Sequence, residues 1–214
     1  MIKAVIFDMD GLMIDSERVT FQGYQKVLGE MGLDISEDFY VTLLGRTIPT
    51  AKKLFLDVYG HDFDLDKVIP LVHQYMADLF ENEGVPLKKG LLPLLQYLKE
   101  NNYKTIVATS SQRNRVDRIL QLTHLEEYFD DSICGDEVEH GKPDPEVFLR
   151  SCQKLGVEPH EAIVLEDSEA GIEAAYKGHI KVLCIPDMKY PEDQYAQMTT
   201  EILDSLEDVI DYLK

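Results

Sequence analysis

Four apolar residues, Ala4 to Phe7, run straight into Asp8-Met9-Asp10-Gly11, and this junction constrains the chain more than any other stretch. A run with no polar side chain on either face suits a parallel strand buried between helices. The two acids then mark its carboxyl end. Side chains two residues apart in extended chain point the same way, so Asp8 and Asp10 face one crevice, and Gly11 lets the backbone turn away sharply. Open α/β sheets bind their ligands at that edge.

The next stretch has helix signals and no strand. Asp15 and Ser16 are cap candidates ahead of an amphipathic run through Phe21, Tyr24, Val27, Leu28 and Met31, which Gly32 stops. Further helices are expected at about 36–44, 49–59 and 66–82, punctuated by Gly45, Gly60 and Gly84, with Pro49 suited to a first helical turn. Four successive helices after a buried strand predict an inserted all-helical cap domain over residues 16–85, leaving 1–15 and 86–214 to an α/β core domain.

From Pro86 onward helix and strand alternate. Strands are expected at about 105–109, 132–134, 162–165 and 181–185, with helices at about 90–101, 113–122, 144–155, 168–178 and 206–213. Asp144 and Pro145 suit an N-cap and first helical residue. With the first strand this predicts an α/β fold, a doubly wound parallel five-stranded sheet with right-handed crossovers.

Charge narrows the partners. Forty acidic residues against 21 basic ones give a formal net charge of -19, which argues against a nucleic-acid backbone or an anionic membrane surface. No apolar run approaches the ~20 residues of a membrane span, and no signal sequence precedes the first strand, so a cytoplasmic protein is expected. Cys134, Cys152 and Cys184, odd in number and widely spaced, read as reduced core thiols.

The strand ends carry Asp8 and Asp10, Ser110, Asp136, and the pair Glu166-Asp167, while Lys142 lies in the loop Gly141-Lys142-Pro143-Asp144-Pro145. Singly, each reads equally well as a cap or a surface ion pair. Together, carboxylates from two strand ends can hold a hard divalent ion such as Mg²⁺, with substrate phosphate completing its shell. A lysine nearby would supply a further positive charge.

These segments, in this order, resemble the four motifs of the haloacid dehalogenase superfamily, and the helical insertion after Asp-Met-Asp-Gly-Leu is most similar to the branch holding β-phosphoglucomutase and small sugar-phosphate phosphatases. The resemblance implies a phosphoric monoester hydrolase that acts, as a monomer, on a small phosphorylated metabolite. Asp8 would be the nucleophile that forms an aspartyl-phosphate, and Asp10 the general acid and then base. Mg²⁺ would sit on Asp8, the Asp10 carbonyl and Asp167, with Lys142 and Ser110 on the phosphate oxygens and Lys142 also holding Asp8 ionised. Glu166 would either assist the metal or orient Lys142. Ser111 and Asn114 read as further substrate contacts or as helix caps. Arg46, in Gly45-Arg46-Thr47, resembles a substrate-facing cap residue and reads otherwise as a solvated charge after a helix stop.

Two other activities use the same residues. A sugar-phosphate mutase would need cap groups to grip a second phosphate, yet Thr20 and Ile48 stand where that branch has a histidine and an arginine. A non-enzymatic phospho-switch would have no use for an acid/base at Asp10. Hydrolysis is therefore the expected reaction.

Overall fold

The computed structural model describes all 214 residues, which fall into two compact units: Met1–Asp15 with Val85–Lys214, and Ser16–Gly84. In the first unit a parallel sheet runs in the order β3-β2-β1-β4-β5-β6. Its strands are β1 (Ala4–Phe7), β2 (Lys104–Ala108), β3 (Asp131–Ile133), β4 (Ala162–Glu166), β5 (Lys181–Cys184) and β6 (Glu201–Ile202). The second unit contains α1 (Ser16–Glu30), α2 (Glu37–Leu43), α3 (Ile48–Tyr59) and α4 (Leu65–Glu83). The remaining helices belong to the sheet unit: α5 (Leu91–Glu100), α6 (Arg113–Thr123), α7 (Glu146–Leu155), α8 (Glu169–Lys177), α9 (Asp193–Ala196) and α10 (Val209–Leu213).

Strand β1 is central because every one of its residues is fully buried, as an inner parallel strand covered on both faces requires. Ala4 and Ile6 point into a core with Val147 and Phe148 of α7 and Ile172 of α8, while Phe7 on the opposite face meets Phe129 edge-on at 5.5 Å. Removing side chains of this size from water stabilises the fold by about 1.5–3 kcal/mol each. The register sets the site: Phe7 lies opposite Val107 on one side and Leu165 on the other, so the residues that follow them, Asp8, Ala108 and Glu166, emerge side by side.

The helical unit is built on aromatic rings. Phe55 of α3, almost fully buried, has Tyr24, Phe39, Tyr59 and Phe63 around it at centroid separations between 5.3 and 5.8 Å. Helices α1 and α4 approach closely at Gly23, where a Cβ would lie 3.0 Å from Val72 Cγ1.

The sheet has six strands, one more than the five expected. The sixth, β6, is two residues long and is defined only by its pairing with Leu183 and Cys184, a long-range contact that leaves no periodic trace in sequence. Helix α7 begins at Glu146, with Pro145 at the N-cap position, because the Asp144 carboxylate accepts the Glu146 amide at 3.0 Å and closes a turn before the helix starts. The closing segment splits into a 3-10 turn at Leu206–Asp208 followed by α10. All three cysteines are buried and free. No helix is long and apolar enough to cross a membrane.

Candidate active site

Three segments that emerge where β1, β2 and β4 end converge on Lys142. Its side chain is 5 % exposed, and its Nζ donates to Asp8 Oδ1 at 2.5 Å, to Glu166 Oε1 at 2.6 Å and to the Ala108 carbonyl at 3.2 Å. An ammonium has three N–H donors, and all three are placed. The Phe148 ring lies beneath the charge, 4.9 Å from Nζ to its centroid. The loop that delivers Lys142 is itself tied down: the Glu146 carboxylate accepts the amides of Glu139 and His140 at 3.0 and 2.9 Å. Those two amide bonds, with Arg150 and His140, hold the Glu146 pKa down at about 2.

Glu166, fully buried at the end of β4, has both oxygens engaged. Oε1 takes Lys142, and Oε2 accepts from the Asp167 amide at 2.9 Å and from the amide and hydroxyl of Ser168 at 2.8 and 2.9 Å. Such packing tolerates no bulk beside it. A Cβ at Gly171 would fall 1.7 Å from Glu166 Oε1, so Gly171→Ala should displace the carboxylate and lower stability by about 1–3 kcal/mol in urea unfolding. Gly29, within α1 and open to solvent, is the matched control, where Ala should be neutral or stabilising by up to about 1 kcal/mol.

Beyond the end of β2 the chain bends at Ser110 and Ser111. Thr109 is buried, and its hydroxyl accepts the Ser111 amide at 3.1 Å; Ser111 Oγ donates to Asp10 Oδ2 at 2.7 Å. Ser110, the residue expected on the phosphate, is exposed, with its carbonyl pressed against Gly135, where a Cβ would meet Ser110 O at 2.2 Å. Asn114 is exposed, and its Oδ1 accepts the Arg115 amide at 2.8 Å. Asp136 likewise accepts the Arg113 amide, at 3.0 Å. Arg115, absent from the expected set, forms an ion pair with Asp10 Oδ1.

Charge in this cluster is unbalanced. Asp8, Glu166 and Asp167 offer oxygens within 4.8 Å of one another, and Lys142 is the cation among them. Burial opposes the charge on Lys142, but Asp8 and Glu166 outweigh it and hold the ammonium pKa above its ordinary value. Burial pushes the Asp8 carboxyl up to about 8; Lys142 pulls it down, while Glu166 and Asp10 add to the rise. Three carboxylates thus gather around one ammonium. A divalent cation fits what is missing: the donors are hard carboxylate oxygens, and Asp167 Oδ2 lies 2.2 Å from where a Gly11 Cβ would stand, in space that only glycine leaves free.

In the helical unit, Arg46 is exposed between α2 and α3. The Thr20 hydroxyl donates to the Ser16 carbonyl at 2.8 Å and lies 3.2 Å from Met76 Sδ, and Ile48 is 53 % exposed.

A parallel sheet with an Asp-x-Asp strand end, a buried lysine and an acidic pair at the neighbouring strand defines a class. The family model described as haloacid dehalogenase-like hydrolase matches residues 5–185, and the chain belongs to that family. Among relatives, it is 33% identical over 180 residues to the phosphorylated carbohydrates phosphatase of Thermotoga maritima, covering 84% of this chain and 82% of that one. It is 28% identical over 173 residues to the fructose-1-phosphate phosphatase of Escherichia coli, covering 80% and 89%. Among solved structures, a candidate beta-phosphoglucomutase from Thermotoga maritima superposes with a TM-score of 0.82 at 28% identity, over 99% of this chain and 98% of that one.

Proposed function

We propose that this hydrolase is a Mg²⁺-dependent phosphatase of small phosphorylated sugars that works through an aspartyl-phosphate on Asp8. The observation that carries the reading is Asp8 itself, a buried carboxylate at a strand end, bonded to Lys142 and two residues from a second acid held by separate donors. The similarity to two named sugar-phosphate phosphatases supports the substrate class.

In this reading Asp8, Asp167 and the Asp10 carbonyl hold the ion, while Glu166, both of whose oxygens are engaged, orients Lys142. When bound, Mg²⁺ offsets the negative charge of Asp8 and of the phosphate. Asp8 attacks phosphorus as the bond to the ester oxygen breaks, and Asp10 passes a proton to that departing oxygen. Asp10, now a carboxylate, then takes a proton from the water that cleaves the aspartyl-phosphate. Lys142 turns one of its donors from its present partners to a phosphate oxygen, and Ser110, in the bend after β2, is assigned to assist it. Ser111 contributes through Asp10. Arg46 is assigned to the sugar, as the exposed cation between α2 and α3.

Hydrolysis is favoured over isomerisation because the Thr20 hydroxyl is engaged within its own helical unit and Ile48 presents no charge. The test supplies β-glucose 1-phosphate with a trace of the 1,6-bisphosphate and Mg²⁺, beside a panel of other sugar phosphates, and follows free phosphate and glucose 6-phosphate separately. Free phosphate from several esters, lost in excess chelator, is expected. Glucose 6-phosphate accumulating much faster than phosphate would make the protein a mutase, and full turnover in chelator would remove the metal from the mechanism.

A further inference from the structure

Helix α6 carries Arg113, Arg115 and Arg118, three cations that its sequence presents alike. The structure separates them. Arg113 is a staple, donating to Ser132 Oγ at 2.5 Å and Glu137 Oε2 at 2.6 Å, and Arg118 bonds Gln121 on the same helix at 2.7 Å. Arg115 instead reaches across 105 positions of sequence, its Nη2 donating to Asp10 Oδ1. Its Nε donates to Ser111 Oγ at 3.2 Å, and Ser111 Oγ donates to Asp10 Oδ2 at 2.7 Å. Three side chains close a ring in which each oxygen of Asp10 has its own donor and the two donors are bonded to each other.

A carboxylate held at one oxygen can still swing about its side-chain torsions. Held at both, by groups on one helix start, it cannot turn without breaking two bonds, one of them charge-assisted. We infer that Arg115, with Ser111, is a positioning residue that aims Asp10 at the ester oxygen of the substrate. The inference rests on the acid/base reading of Asp10 given above. As the ester P–O bond breaks and the Asp10 proton passes to the departing oxygen, the carboxylate that remains finds its two donors already in place, so no reorganisation is needed at that moment.

Aim matters only when the leaving group needs a proton. An alkyl phosphate must have its departing alkoxide protonated, whereas p-nitrophenyl phosphate releases a phenolate that leaves unaided. The readout is kcat/KM, which reports steps up to release of the alcohol or phenol and is blind to later hydrolysis of the aspartyl-phosphate. Arg115→Ala, Arg115→Lys, Ser111→Ala and Asp10→Ala are compared with the unaltered protein on β-glycerol phosphate and p-nitrophenyl phosphate in Mg²⁺, with urea midpoints checking the fold.

A general acid contributes about 10²–10⁴-fold, so Asp10→Ala should lose about that much on the alkyl ester and far less on the aryl ester. Arg115→Ala should show the same selectivity in smaller measure, about 30-fold in kcat/KM on the alkyl ester against less than about 3-fold on the aryl. Arg115→Lys, which keeps a charged donor, should recover part of the alkyl rate, and Ser111→Ala should reproduce the selectivity. Equal losses of Arg115→Ala on both esters, or none on either, would overturn the assignment while leaving Asp10 standing. Equal losses of Asp10→Ala on both would overturn the acid/base reading and the role of Arg115 with it.

Discussion

Asp8→Asn is expected to lower phosphate release by about 10⁴-fold or more while the protein stays folded, because loss of a covalent nucleophile removes the pathway instead of slowing one step of it. The amide fills the volume of the carboxylate, and its oxygen can still accept a hydrogen bond from Lys142, which keeps its ion pair with Glu166. Crowding falls at the same time, since burial and the neighbouring acids Glu166 and Asp10 all work against charge on Asp8. Unfolding in urea should therefore place the variant within about 1 kcal/mol of the unaltered protein, or above it. Incubation with substrate followed by acid quench and intact-mass measurement adds a second readout. A phosphorylated species should be trapped with the unaltered chain and absent from Asp8→Asn. Near-normal phosphate release by the variant would send the search for the nucleophile elsewhere.

Sequence reading reached those residues whose signal is local. Ala4 to Phe7 announces a buried strand through continuous apolarity, and Asp8 and Asp10 share a crevice by the alternation of extended chain. Lys142 and the Glu166-Asp167 pair sit at the ends of runs with clear boundaries. What escaped was decided by tertiary contact. Strand β6 has two residues and exists through its neighbour. Arg115 looks like the rest of a solvated basic face until α6 is set against the loop after β1. Glu166 read as either metal ligand or orienter of Lys142 because the donors that saturate its second oxygen are backbone amides, which carry no sequence signature.

Lys142→Met should produce the largest loss of stability of any single change in the sheet unit. The thioether chain fills much of the lysine's space and keeps contact with Phe148, so lost packing contributes little. The cost lies in what remains: Asp8 and Glu166, almost wholly removed from solvent, lose the ammonium that satisfied them, as does the Ala108 carbonyl. Breaking a buried ion pair by deleting one partner typically costs about 3–5 kcal/mol, and here two acids share the cation. Urea unfolding of the metal-free proteins measures that difference directly, and phosphate release should fall with it. The double variant Asp8→Asn/Lys142→Met separates electrostatics from packing. If unpaired buried charge is the cause, neutralising Asp8 restores part of the stability, so the double variant is more stable than Lys142→Met alone although it carries one more substitution. Additive losses in the double variant would show that Lys142 supports the fold through its packed stem, and that the balance of charge around Asp8 is not what holds these strand ends together.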